Sequence, residues 1–105
     1  MIKPAAVRKM MDEYAIPGDV VALFAETSQA AVSKWTRGLL DVTDETQERI
    51  ECAVSAMASM SHYYNLPIRW SEVEKLRPII KKYMADHRAY LAQQREERAA
   101  VKSAK

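Results

Sequence analysis

The sequence predicts an all-helical protein, and three observations support that fold class. Only two glycines occur among the 105 residues, apolar residues recur at spacings of three and four, and no strand-like alternation persists. A chain of this length is enough for one compact domain with some extra. We therefore expect a helical bundle over residues 1–65, a helical extension over 66–94 and a basic, frayed tail over 95–105.

The composition is that of a soluble protein. Cys52 is the single cysteine, so no intrachain disulfide can form, and no apolar run is long enough for a signal peptide or a membrane span. We therefore expect a cytoplasmic protein with no membrane partner. The net charge is +2, and the basic excess lies in residues 70–105, with nine basic and five acidic side chains. That bias is compatible with nucleic acid and equally with a solvated helix surface.

Capping and breaking residues predict where the first four helices begin and end. Proline suits a first helical turn, serine, threonine and aspartate cap helix N-termini, and glycine commonly follows a helix C-terminus. In chain order these signals are Pro4, Ile16-Pro17-Gly18, Ser28, Gly38, and Thr43 or Asp44. The fourth helix is expected to fray near residues 62–65, and Pro67 places a connector at 66–69.

The last helix is predicted from its start signal. Ser71 and Glu74 form a Ser-x-x-Glu capping box. Pro78 lies inside the segment and predicts a kink or the end of a short first helix.

Residues 16–38 carry the most informative pattern of the chain. Two short helices are separated by the three-residue turn Glu26-Thr27-Ser28. Ala22 supplies the small residue that a steep helix crossing requires. The positions on the inner faces of the two helices must be apolar, and they are occupied by Val21, Ala25, Val32 and Trp35. This pattern predicts a helix-turn-helix, in which the second helix lies in the major groove of DNA and the first crosses the backbone.

The stretch Ser28-Gln-Ala-Ala-Val-Ser-Lys-Trp-Thr-Arg-Gly38 resembles the Cro/phage-repressor family, also described as lambda-repressor-like or Xre-type. The second helix of that family often reads Ser-Gln-x-x-Val-Ser-x-Trp-x-x-Gly. The resemblance covers roughly the first 65 residues and implies a helical bundle that binds double-stranded DNA as a transcriptional repressor. Two positions depart from the family pattern. This chain has Gly18 where the family often has glutamine, and Glu26 where the family usually has glycine. A left-handed backbone at Glu26 would cost about 1 kcal/mol.

The second helix of the motif supplies the candidate DNA contacts. The amide of Gln29 suits bidentate pairing with adenine, the Ala30 methyl suits a thymine methyl, and Ser33 and Lys34 lie one turn further on. Phosphate contacts, which position without specifying sequence, are predicted for Ser28, Arg37, Lys3 and Lys9. The alternative for the polar residues is a solvated helix face, and for Ser28 a helix cap. With Arg8, the two N-terminal lysines would form a basic arm.

The C-terminal segment carries an apolar stripe that needs a partner. It either folds back on the bundle or pairs with a second subunit. Because operator binding by this fold usually needs two copies of the helix that contacts the bases, we predict a homodimer. The predicted interface consists of Trp70, Val73, Ile80, Tyr83 and Tyr90.

Other classes of site have weaker support. His62 and His87 lack zinc-ligand spacing, and neither a nucleophile elbow nor a glycine-rich phosphate loop occurs. We therefore expect no catalytic site, metal or cofactor. The competing interpretation is an antitoxin-like or phage-encoded protein-interaction module. Its helix-turn-helix would be structural, and its C-terminal helix would bind a protein partner. The apolar loop 39–42 is a further candidate contact for a partner.

Overall fold

The computed structural model describes residues 3–61 and 67–103, and all regular secondary structure in these ranges is helical. The five α-helices are α1 (Pro4–Glu13), α2 (Gly18–Ala25), α3 (Gln29–Thr36), α4 (Asp44–Met60) and α5 (Val73–Ser103). A short 3-10 helix, Trp70–Glu72, leads into α5. None of the helices in the described ranges has the length and apolarity that a membrane crossing requires. The all-helical prediction is confirmed.

The first three helices end in one shared backbone closure. Each is followed by a residue with positive φ: Ala15 at 52°, Glu26 at 57° and Gly38 at 75°. The next N–H then donates to a carbonyl five residues back: Ile16 to Met11 at 2.9 Å, Thr27 to Ala22 at 3.1 Å and Leu39 to Lys34 at 2.8 Å. Glu26 thus has a left-handed backbone, the conformation whose cost at this position was considered above, and Ala15 shares it.

Helix starts agree with the predicted caps except at α5. The Oγ of Ser28 accepts the N–H of Ala31 at 3.0 Å, and the Oγ1 of Thr43 accepts the N–H of Thr46 at 3.2 Å. The predicted capping box at Ser71 is wrong, because Ser71 lies inside the 3-10 helix and α5 begins at Val73. In that turn the N–H of Glu72 donates to the carbonyl of Arg69 at 2.8 Å.

One apolar core joins all five α-helices. Helix α4 lies at its centre and packs against α1, α2 and α5. Its side chains Ile50, Met57 and Met60 are fully buried, and they share a cluster with Val20 of α2 and Ile80 of α5. The predicted regions 1–65 and 66–94 therefore share a single core.

The apolar stripe of the last helix divides between core and surface. Val73 and Ile80 are 3% and 0% exposed and belong to the core cluster with α4. Their assignment to a dimer interface is wrong, because the chain itself already covers them. Tyr83 is half-buried, whereas Trp70 and Tyr90 remain 59% and 54% exposed.

Helix α5 is longer than predicted. It passes through Pro78 without ending and continues to Ser103, so residues 95–103 are helical in the segment where a frayed tail was expected. Good helix formers and side-chain pairs favour this outcome. The Nη2 of Arg95 lies 3.1 Å from the Oε1 of Glu48, which ties the distal part of α5 to α4. Residues 62–66, which include His62 and the predicted fraying of α4, and residues 104–105 lie outside the described residues.

Candidate nucleic-acid interface

Helix α3 is held from its inner side by buried residues. Val32, Trp35 and Thr36 are at most 4% exposed, and Ala22 is buried on α2. Thr36 is the one polar member, and its hydroxyl donates to the carbonyl of Ser33 at 3.0 Å. The burial predicted for the small residue of α2 and for the apolar positions of α3 is confirmed. The outer face of α3 therefore projects from a fixed support.

The outer face of α3 presents the side chains that the sequence predicted as base contacts. Gln29, Ala30 and Lys34 are exposed, and Ser33 is half-buried. Positions 29, 30, 33 and 34 fall on one side of a helix because the helix repeats every 3.6 residues. This face offers an amide, a hydroxyl, an ammonium group and a methyl group within two turns. These groups match the donors, acceptors and methyl groups of major-groove base edges.

Gln29 lies close to the glycine that departs from the family pattern. A Cβ atom on Gly18 would lie 3.8 Å from both the Cγ and the Nε2 of Gln29. The side-chain amide of Gln29 thus borders the space next to Gly18, at the start of α2. A cleft of about 250 Å³ between α1 and α3 includes Gly18, Gln29 and Ser33. Gln29 therefore faces both the cleft and the exposed surface.

Two predicted phosphate contacts flank α3. The bond from Ala31 uses the Ser28 oxygen as acceptor, so it leaves the hydroxyl hydrogen of Ser28 for another partner. Arg37 is exposed, and its Nε donates to the carbonyl of Ser33 at 3.3 Å. This bond holds the guanidinium close to the C-terminal end of α3.

The N-terminal basic residues belong to a helix rather than to a free arm. The carbonyl of Lys3 accepts the N–H groups of Ala6 and Val7 at 3.0 and 3.1 Å, so Lys3 is the N-cap of α1. Lys3 and Lys9 are exposed. Arg8 lines the cleft that also contains Gln29, which places it near α3. It pairs with Asp12 at 3.4 Å.

Further apolar side chains are exposed after α3. Leu39 and Leu40 are 68% and 40% exposed, whereas Val42 packs against the core. The loop that was expected to contact a partner therefore leaves two leucines uncovered. Within residues 3–61 and 67–103, no group of three or more histidine, cysteine or acidic side chains is arranged to hold a metal ion.

Comparison with known proteins adds no relative to this description. No protein-family model, curated protein or solved structure matches the chain.

Proposed function

We propose that this protein binds double-stranded DNA and regulates transcription in the cytoplasm, with a lambda-repressor-like arrangement of α2 and α3. The observation that carries the proposal is the two-sided character of α3. Its inner side is fixed by Val32 and Trp35, and its outer side presents Gln29, Ser33 and Lys34. In this mechanism α3 enters the major groove, while Ser28 and Arg37 contact phosphates.

The proposal includes a homodimer that occupies an operator and blocks polymerase. Exposed Trp70 and Tyr90 are the predicted interface residues that the core leaves uncovered. They are 20 residues apart, which corresponds to about 30 Å along a helix. An interface that uses both must therefore run along α5 rather than form a central patch. Light scattering at micromolar concentration tests this part, and a monomer contradicts it.

The test of DNA binding is selection from a pool of randomised duplexes at physiological salt. Enrichment of a palindrome supports a dimeric regulator, and its half-site spacing reports the distance between the two copies of α3. We expect binding to weaken as salt rises, since phosphate contacts release counterions. Folded protein that enriches no sequence contradicts the proposal.

A matched pair of double variants assigns the interface to α3. Replacing Gln29 and Lys34 with alanine should weaken binding by about 1–3 kcal/mol for each good base contact. The control replaces Gln93 and Lys82 with alanine, which removes the same two side-chain types from exposed positions on α5. Equal loss in both variants contradicts the assignment of α3.

The exposed side chains of α5 favour one competing function, a protein-interaction module. Tyr90 and Val101 of α5 are 54% and 60% exposed, and Trp70 in the preceding 3-10 helix is 59% exposed. Apolar contacts are therefore offered along α5 and the turn that leads into it. Under this alternative the chain binds no DNA, and Trp70→Ala abolishes capture of a protein partner. The duplex selection separates the two functions because only the first predicts a retained DNA sequence.

A further inference from the structure

A second surface, which shares no residue with the cleft that contains Gln29, combines positive charge with an apolar wall. It is a cavity of about 320 Å³ bordered by the turn after α2, by α4 and by α5. Phe24 and Met84 form its apolar wall, and both are more than nine-tenths buried. The charged groups that line it are Glu26, Arg49, Lys81 and Arg88.

Cations outnumber carboxylates in this cavity by three to one. Arg49 is already paired, with the Oε1 of Glu45 at 2.8 Å and the Oε2 of Glu26 at 3.5 Å. Lys81 forms no ion pair within the described part of the chain. The cavity therefore retains positive charge after the internal pairs are counted.

We propose that this cavity binds a small aromatic carboxylate. Its volume is at the lower end of the range typical of small-molecule sites, which combine apolar walls with a few polar groups that fix orientation. The ring would pack on Phe24 and Met84, and the carboxylate would pair with Lys81 and Arg88. A bare inorganic anion would leave the apolar wall unused, and a neutral ring would leave the cations unpaired.

Besides Lys81 and Arg88, a bound carboxylate would also attract Arg49, the third cation of the cavity, in competition with Glu26. Glu26 is the left-handed residue that closes α2 and opens the turn to α3. Occupation of the cavity therefore acts on the turn that positions α3. A resulting change in DNA affinity rests on the proposed function, whereas binding in the cavity does not.

The test is a titration with benzoate, followed through the methyl resonance of Met84, which a Met84→Leu variant assigns. We expect benzoate to shift this resonance, and benzamide and inorganic phosphate to leave it in place. Lys81→Ala should weaken benzoate binding about tenfold, as expected for the loss of a charge-assisted contact. The matched control, Lys82→Ala, removes a neighbouring exposed lysine that does not line the cavity and should leave affinity unchanged.

Competition is tested with Glu26→Gln, which removes the one carboxylate that lines the cavity and leaves Arg49 paired with Glu45 alone, and which should strengthen benzoate binding several-fold. Three results overturn the inference: no shift of Met84 by benzoate, equal binding of benzamide or phosphate, or undiminished binding by Lys81→Ala. Duplex binding is measured separately in the same samples. A Met84 shift in protein that binds no DNA supports the cavity and contradicts only the proposed function.

Discussion

Helices α3 and α5 both present an exposed side, but different interactions hold them in place. The start of α3 is fixed by the Ser28 cap and its end by the closure at Gly38. Its neighbours α1 and α2 end in the same closure. Helix α5 begins from a 3-10 turn and depends on Ile80 and other apolar residues that pack on α4. Local hydrogen bonds thus define the ends of α1, α2 and α3, and contacts distant in sequence position α5.

Because of this difference, substitutions on α3 and on α5 should affect stability and binding differently. The exposed residues of α3 lie outside the core, so substitutions there should alter binding without unfolding the chain. The part of the stripe that contains Val73 and Ile80 lies inside the core, so substitutions there should unfold the chain before they reveal a binding role. A loss of DNA binding after a change at Val73 or Ile80 would therefore report folding.

Ile80→Ala should produce the largest loss of stability, because it opens a cavity at a fully buried position between α4 and α5. We expect a loss of about 2–5 kcal/mol in the free energy of unfolding, measured with urea. Lys82→Ala, two residues away and exposed, should change it by less than about 0.5 kcal/mol. A loss below about 1 kcal/mol for Ile80→Ala would show that α5 is not anchored as described.

The pH dependence of the free energy of unfolding, through the buried thiol of Cys52, tests the same contact between α4 and α5. Burial raises the pKa of its thiol to about 11, and the positive charge of Arg88 opposes this shift. Between about pH 9 and pH 11 the unfolded chain loses the thiol proton while the folded chain retains it. The contribution of the protonated Cys52 thiol to the free energy of unfolding is therefore complete below about pH 9. It is lost as the pH rises towards 11, by on the order of 2 kcal/mol.

The measurement compares urea unfolding of the parent chain and Cys52→Ala across this pH interval. Lysine and tyrosine titrations are common to both proteins, so they cancel in the difference. The parent chain should lose more stability than the variant. Parallel curves would indicate that water reaches Cys52 and that the cover provided by α5 is incomplete.

The sequence predicted those features that depend on neighbouring residues. Ser28, Thr43 and Gly38 act locally, and the structure places each at the helix end expected of it. The exposed positions of Gln29 and Lys34 followed from helical spacing and from the buried Val32 and Trp35. Their role in binding DNA stays a prediction.

The features that sequence reasoning did not predict depend on distant contacts. The stripe around Ile80 was equally suited to a second subunit and to α4, because periodicity identifies an apolar face but not its partner. The cavity beside Arg49 combines residues from α2, α4 and α5, and no local pattern links them. The helical tail was missed because side-chain pairs such as Arg95 with Glu48 join positions 47 residues apart.

Glu26→Gly should give the smallest effect and tests the local closure directly. Glycine removes the steric cost of the left-handed backbone, about 1 kcal/mol, but gives the unfolded chain more freedom and removes the pair with Arg49. The Glu26 side chain of that pair is 70% exposed, so the loss of the pair matters little. Glu26→Ala is the matched control, because it removes the same pair and keeps the strained backbone. Urea unfolding should therefore rank Glu26→Gly above Glu26→Ala by about 0.5–1 kcal/mol. Because both variants lack the carboxylate, the reverse order would mean that the left-handed backbone at position 26 costs less than the extra freedom that glycine gives the unfolded chain.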